Sequence, residues 1–186
     1  MLYIIGGAAR AGKTKIARRM LDEHNIPLFC IDYIVSGLDQ GVPSLGIIGE
    51  SPTRPKAEKL WPILRGMLHN IVEEEPHYLV EGDSIWPQGV AKLLKAYHPQ
   101  IRAVFIGYAN TNPQQKLTEI RQFRGDVNDW IQDYSDQYIL DLCVEMIEWS
   151  QFLQVECKKY DLPYFDVSRE FSLTLEKAYT ALMEEK

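Results

Sequence analysis

The stretch that decides the fold is G-A-A-R-A-G-K-T at residues 7–14, which follows the apolar run L-Y-I-I-G. It fills every fixed position of the pattern G-x-x-x-x-G-K-[ST] in the context that the pattern needs, an apolar strand before it and a helix after it. Glycines let the backbone turn until several N–H groups face one anion. The alternative is a glycine-rich turn with a chance lysine. We predict a phosphate-binding loop formed by Gly7, Ala8, Ala9, Arg10, Ala11, Gly12, Lys13 and Thr14.

The last two residues of this loop have the functional groups that bind a nucleoside triphosphate and its magnesium ion. Lys13 is a point charge for the β- and γ-phosphates, and the Thr14 hydroxyl is a ligand for Mg²⁺. The helix that begins near Lys13 adds the positive end of its dipole. The predicted cofactors are therefore ATP and Mg²⁺, with the Lys13 side chain exposed in the loop.

Four further apolar runs alternate with segments of helical periodicity. Runs without in/out alternation are typical of parallel strands covered by helices on both faces. We predict a single domain over residues 1–186, with two insertions after strand ends at 33–75 and 109–134. Residues 39–53 are rich in glycine, proline and serine, which indicates a loop. The five predicted strands lie at L-Y-I-I-G-G (2–7), I-P-L-F-C-I-D (26–32), H-Y-L-V-E-G-D (77–83), I-R-A-V-F-I-G-Y (101–108) and L-P-Y-F-D-V-S (162–168).

The loop and this alternation resemble the P-loop kinases of the nucleoside monophosphate kinase and shikimate kinase type. More narrowly, the chain is similar to chloramphenicol phosphotransferase-like and 2-phosphoglycerate kinase-like proteins. The resemblance implies a three-layer α/β fold whose parallel sheet has the strand order 2-3-1-4-5. It also implies that residues 33–75 bind the phosphoryl acceptor and that residues 109–134 form a lid.

Asp32 ends the second predicted strand, at the sheet edge where parallel sheets bind ligands. A carboxylate there could accept the proton of a substrate hydroxyl as that hydroxyl attacks the γ-phosphate. The resembling kinases often carry an aspartate at this place. The alternative is an N-cap for a helix that begins near Tyr33, a role for which aspartate is well suited. Both interpretations stay open at the sequence level.

Glu81 and Asp83 end the third predicted strand in Y-L-V-E-G-D-S. An apolar strand that ends in an acid is the general form of the Mg²⁺-binding segment of P-loop enzymes. In nucleoside monophosphate kinases this segment usually reads Asp-Gly, whereas here it is Glu81-Gly82-Asp83. We expect Glu81 at the metal and Asp83 facing the substrate. The alternative is an exposed turn.

Basic side chains in both insertions suit anionic ligands. The resemblance implies that arginines of the lid, Arg121 and Arg124, close over the transferred phosphoryl group, with Lys116 nearby. Guanidinium groups bind oxygens in a planar fork. In the first insertion, Arg54 is the candidate for the acceptor, while ordinary surface charge is the alternative for every one of these groups. Asp166 and Ser168 fit either the adenine-side turn of such kinases or simple helix caps.

The net charge and composition argue against some classes of binding partner and cellular location. A formal net charge of −6 argues against a nucleic-acid partner. No run approaches the roughly 20 apolar residues that span a bilayer. Three separated cysteines favour free thiols in a reducing cytoplasm.

We therefore expect a cytoplasmic monomer or homodimer that acts on a small-molecule acceptor, without nucleic acid or membrane. The alternatives are a nucleotide kinase, whose usual Asp-Gly-Phe/Tyr-Pro-Arg segment is missing, or a non-kinase ATPase or nucleotide-binding switch. A GTPase is disfavoured because the sequence has no Asn-Lys-x-Asp.

Overall fold

The computed structural model describes residues 1–123 and 129–184. Five strands alternate with seven α-helices in this part of the chain, as the hydrophobic pattern predicts. The strands are β1 Leu2–Gly7, β2 Leu28–Cys30, β3 Tyr78–Gly82, β4 Ile101–Gly107 and β5 Tyr164–Asp166. The helices are α1 Lys13–His24, α2 Asp32–Gly41, α3 Thr53–Glu74, α4 Pro87–Tyr97, α5 Pro113–Gln122, α6 Asp136–Lys159 and α7 Phe171–Met183.

All strand pairs are parallel, and the order across the sheet is β2-β3-β1-β4-β5. The predicted three-layer α/β fold and its strand order are thus confirmed. Strand β1 lies at the centre, where Ile5 aligns with Glu81 of β3 and with Val104 of β4. Every residue of β1 is buried, which explains why the strand is a continuous apolar run.

The first insertion is more helical than its composition indicates. Residues 39–53 were expected to form a loop, but α2 continues to Gly41 and a 3₁₀ turn follows at Pro43–Leu45. Helix α3 runs through Pro62 without a break. Its buried stripe, which includes Leu60, Leu64 and Leu68, packs into the core and outweighs the hydrogen bond that proline removes.

The main hydrophobic core lies on both faces of the sheet, and a second small cluster lies beside it. Ile120 of α5 and Ile131 pack there against Ile139 and Cys143 of α6. The described part of residues 109–134 is therefore anchored to α6 by apolar contacts of its own. Cys143 and Cys157 are buried free thiols, and Cys30 is a half-buried one. Within residues 1–123 and 129–184, no helix is long and apolar enough to span a lipid bilayer.

Candidate active site

The loop between β1 and α1 can be built only with glycine at two of its positions. Gly7 has φ 147° and Gly12 has φ 97°. A Cβ on Gly7 would lie 2.0 Å from the Ile106 carbonyl oxygen of β4, and one on Gly12 would lie 2.8 Å from Leu175 of α7. The backbone conformation and the close packing therefore explain why the motif has glycine at these two positions.

The backbone N–H groups at the start of α1 are the donors of this loop. In the described part of the chain, the amides of Gly12, Lys13 and Thr14 have no hydrogen-bond acceptor, as expected at a helix N-terminus. The Lys13 ammonium donates to the Ala8 carbonyl oxygen at 2.8 Å. An anion in the loop would receive these donors together.

The expectation that Lys13 is exposed is wrong, because its side chain is only 7% exposed. The loop folds around the ammonium group, and the Ala8 carbonyl satisfies it there. The long aliphatic stem of a lysine can be buried while its charged end finds an oxygen. Lys13 therefore lies inside the cradle and not on its rim.

Thr14 and Glu81 meet at the same edge of the sheet. The Thr14 hydroxyl donates to Oε1 of Glu81 at 3.0 Å, and Glu81 is 3% exposed. Hydroxyl and carboxylate oxygens are the donors that Mg²⁺ takes from proteins, so this pair fits the ion. No group of three or more His, Cys, Asp or Glu side chains suited to a metal occurs in residues 1–123 and 129–184. The remaining ligands would have to come from phosphate oxygens and water.

Asp32 is the first residue of α2, and its side chain does not cap that helix. The N-cap is Ile31, without a side-chain hydrogen bond, so the capping interpretation is wrong. The backbone continues from β2 into the helix at Ile31, one residue earlier than a capping Asp32 requires.

The environment of Asp32 places it with the phosphate loop. Its side chain is exposed, but nearby protein atoms remove part of its hydration and so raise the pKa of its carboxyl group. The negative charges of Asp83 and Glu81 raise this pKa further, while the positive charge of Lys13 lowers it. Such mutual effects require these four side chains to share one region.

Asp83 lies in a turn that is held by hydrogen bonds to neighbouring residues. Its Oδ1 accepts from the hydroxyl of Ser84 at 2.7 Å, and its backbone carbonyl accepts from the indole N–H of Trp149 at 3.2 Å. The side chain is half-buried, which disagrees with an ordinary exposed turn.

The basic side chains of α3 separate into two groups. The ammonium groups of Lys56 and Lys59 donate to the carbonyls of Gly49 and Gly46 and hold the preceding loop. The Arg54 guanidinium instead lies 4.3 Å from the ring centre of Phe152. Arg54 has no hydrogen-bond acceptor among the described residues, so its donors are available to a ligand.

Arg121, one of the two arginines of the predicted lid, contacts protein oxygens in this structure. The Arg121 guanidinium donates to the carbonyls of Gln132 and Tyr134 and pairs with Asp136 at the start of α6. Arg124 lies outside the described residues. Lys116 is buried, with its ammonium 4.3 Å from the ring centre of Tyr108. The role of Arg121 and Arg124 at the phosphoryl group stays a prediction.

Arg10 makes a contact that the sequence pattern did not indicate. Its guanidinium donates to both carboxylate oxygens of Asp129, at 2.5 and 3.0 Å. Arg10 has φ 62°, a left-handed conformation in which glycine is favoured. Nothing in the sequence identified Asp129 as its partner.

The turn after β5 joins the turn after β4. Asp166 accepts from the Ala109 backbone N–H at 2.9 Å and from the Ser168 N–H at 3.0 Å, and the Ser168 hydroxyl accepts from the Asn110 N–H at 3.1 Å. The cap interpretation is wrong for both residues, because α7 begins at Phe171 without a side-chain cap. An open pocket of about 400 Å³ lies here, lined by Asn110, Asp166, Arg169, Glu170 and Thr174.

The sequence matches no protein-family profile, and no curated protein is significantly similar to it. Solved structures are similar in fold. Shikimate kinase from Bacteroides thetaiotaomicron has a TM-score of 0.55 at 15% identity, with 99% of each chain covered. A gluconokinase from Sinorhizobium meliloti 1021 has a TM-score of 0.57 at 13% identity, covering 97% of this chain and 90% of that one.

A third similar structure is shikimate kinase from Acinetobacter baumannii in complex with shikimate. It has a TM-score of 0.54 at 12% identity, covering 95% of this chain and 90% of that one. At such identities the likeness concerns the fold alone. This chain thus shares its fold with solved structures of shikimate kinase and gluconokinase.

Proposed function

We propose that this chain is an ATP-dependent phosphotransferase that moves the γ-phosphoryl group of ATP to a small hydroxylated or phosphorylated metabolite. The observation that carries the proposal is that Lys13, inside the phosphate loop, and Asp32, at the neighbouring strand end, both lie beside Glu81. The Glu81 carboxylate accepts from Thr14, next to Lys13. The Glu81 carbonyl accepts from the N–H of Ile31, next to Asp32. A nucleotide-binding protein needs Lys13 only. A kinase also needs a group that receives the acceptor's proton.

The donor half would be held by the loop. The amides of Gly12, Lys13 and Thr14, which have no acceptor in residues 1–123 and 129–184, would bind the phosphates together with the Lys13 ammonium. Thr14 and Glu81 would hold Mg²⁺, which neutralises charge on the phosphate oxygens when it is bound. The pocket lined by Asp166 and its neighbours lies beside α7, which also contacts Gly12, so it is the space proposed for the adenosine.

The acceptor half would lie between α2, α3 and the turn after β3. The acceptor hydroxyl oxygen forms a bond to the γ-phosphorus, the bond to the β–γ bridging oxygen breaks, and ADP leaves. Asp32 receives the hydroxyl proton. Asp83 and Arg54 are proposed to bind the remaining polar groups of the acceptor, in the insertion at 33–75. In-line transfer of this kind depends mainly on positioning and charge neutralisation.

The test is ADP release from ATP and Mg²⁺ with a panel of metabolites. Shikimate and gluconate come first, because structures of similar fold are named for them, followed by sugars, polyols and their phosphates. Release that depends on one metabolite, together with a phosphorylated product, supports the proposal. Release that depends on an added protein, with no phosphorylated metabolite, contradicts it and favours a switch. Lys13→Ala is the control for contaminating kinases.

A further inference from the structure

Helix α6 contacts both halves of the candidate site within less than two turns. Four of its residues within positions 145–150 make hydrogen bonds to four different segments: the start of α3, the loop after β1, the turn after β3 and the end of β4. They form two pairs at a spacing of four residues, and residues with that spacing lie on the same face of a helix. The pairs are Glu145 with Trp149 and Met146 with Ser150.

The pair Met146 and Ser150 holds the phosphate side. The Met146 sulfur accepts from the backbone N–H of Ala9 at 3.3 Å, and the Ser150 hydroxyl accepts from the N–H of Tyr108 at 3.0 Å. The Tyr108 hydroxyl in turn donates to the Ala9 carbonyl at 2.8 Å. Both polar groups of Ala9 are thus fixed, one directly and one indirectly, by the same stripe of α6.

The pair Glu145 and Trp149 holds the acceptor side. Oε1 of Glu145 accepts from the N–H of Thr53, the first residue of α3, at 2.5 Å. The Trp149 indole donates to the Asp83 carbonyl at 3.2 Å. These contacts set the position of Arg54, next to Thr53, and of the Asp83 carboxylate.

Three of the four side chains are deeply buried, and Glu145 is half-buried. Met146 is 2% exposed, Trp149 is 3% exposed, and Ser150 is fully buried. Trp149 also stacks on Phe152, with ring centres 5.2 Å apart, and Phe152 supports the Arg54 guanidinium. Side chains locked by packing are what a precise site requires of its supporting residues.

We infer that helix α6 sets the distance between the two halves of the site, with Met146 and Ser150 positioning the phosphate loop and Glu145 and Trp149 positioning the acceptor groups. The inference rests on the proposed function for its purpose. Phosphoryl transfer requires reacting atoms within about 3.5 Å, and a misplacement of about 1 Å can cost roughly 100-fold in rate. One rigid helix that holds both halves meets that requirement.

The experiment compares Met146→Leu with Trp149→Phe, two changes that keep an apolar or aromatic group while removing the hydrogen-bonding atom. Amide hydrogen exchange is followed by mass spectrometry on the ligand-free protein. Met146→Leu should speed exchange in residues 7–14 and leave residues 82–86 unchanged. Trp149→Phe should do the opposite.

Calorimetry with a non-hydrolysable ATP analogue and Mg²⁺ gives the second measurement. Where this hydrogen bond, worth about 1 kcal/mol, holds the loop in its binding conformation, its loss lowers the affinity by up to about fivefold. Met146→Leu should therefore weaken binding measurably, within that limit. Trp149→Phe should leave the affinity unchanged. Once an acceptor is known, Trp149→Phe should raise its KM while the KM for ATP stays the same.

Exchange that rises equally in both segments for both variants would overturn the inference, because α6 would then be a general structural support. Unchanged exchange in both variants would overturn it as well. If either variant unfolds, Ser150→Ala and Glu145→Ala replace the pair, and Glu145→Gln, which keeps the acceptor oxygen, should restore the parent pattern. A parent protein that does not bind the ATP analogue overturns the proposed function, while the exchange data still decide the role of α6.

Discussion

The candidate site has a phosphate side and an acceptor side, which lie at the same edge of one sheet. The two sides use different chemical groups. The phosphate side is mostly backbone. It consists of amides that have no acceptor in the described part of the chain, and of glycines at 7 and 12 whose φ values of 147° and 97° strongly disfavour other residues. The acceptor side is made of side chains from separate elements, namely Asp32 of α2, Arg54 of α3 and Asp83 after β3.

Because of this difference, one side of the site is easier to predict from a single sequence than the other. A backbone site constrains residue types at fixed spacing, because a Cβ on Gly7 would meet the Ile106 carbonyl. A side-chain site imposes no spacing along the chain. Its members meet only through sheet register, such as the alignment of Cys30 with Glu81. The predictions below test whether the two halves differ as described.

The largest effect is expected from Lys13→Ala on the phosphate side. Removing a charged donor aimed at the transferred group should lower the transfer rate roughly 100- to 1,000-fold, the cost of losing one donor in a preorganised site. Stability should change little in comparison, since Lys13 makes one hydrogen bond, to Ala8, among the described residues.

Turnover and thermal unfolding are measured on the same preparations. The matched control is Lys15→Ala, since the Lys15 ammonium is exposed and lies 5.4 Å from the ring centre of Phe171. Turnover that Lys13→Ala leaves at the parent level would remove the loop from the mechanism.

The next largest effect is expected from Asp32→Asn on the acceptor side. Asparagine cannot accept the proton, so the transfer rate should fall by roughly 100-fold, the low end for a lost general base, since loose transition states need little early proton removal. Affinity for ATP should stay the same.

The pH profile tests the same prediction. In the parent, kcat/KM should fall as the pH drops through the raised pKa of Asp32, above the ordinary aspartate value of about 3.9. That acid limb should be absent from Asp32→Asn. A mutant that transfers phosphoryl at the parent rate would exclude Asp32 as the base.

The alternation of strands and helices could be predicted because apolar runs are local patterns, whereas the strand order came from the resemblance to the P-loop kinases. The phosphate loop also rests on a local pattern, and its role stays a prediction. The sequence assigned Asp32 two roles, and only the start of α2 at Asp32 itself removed the capping role. It gave no sign of Met146 or Trp149, because a buried residue of an apolar helix has the same pattern whether or not it bonds a loop. The sequence did not identify Asp129 as the partner of Arg10 either, because an ion pair between distant segments has no characteristic spacing along the chain.

A smaller effect is expected from substitutions of Arg10, which carries backbone strain on the phosphate side. Both Arg10→Gly and Arg10→Ala remove the ion pair with Asp129, but glycine adopts the left-handed conformation without cost. The glycine variant should be more stable than the alanine variant by about 1 kcal/mol. Urea unfolding measures the difference. Equal stabilities would mean that the loop relaxes without strain and that glycine is required only at positions 7 and 12.

The smallest effect concerns electrostatic strain on the acceptor side. The pKa of Asp32 is raised by lost hydration and by Asp83 and Glu81, so between its unfolded and folded pKa values the native state holds a proton that the unfolded state has released. Stability contributed by this group therefore falls as the pH rises through that window. At neutral pH the ionised carboxylate of Asp32 lowers the free energy of unfolding, and Asp32→Asn removes this destabilising charge.

We expect Asp32→Asn to increase the free energy of unfolding slightly at neutral pH, while turnover falls. The gain should vanish below about pH 4, where the unfolded carboxyl is also protonated. Urea unfolding at both pH values measures it, with Asp22→Asn on the exposed face of α1 as the control. A variant less stable than the parent at neutral pH would show that the Asp32 charge supports the fold. The acceptor side would then resemble the phosphate side, where Lys13 is held by the loop that it serves.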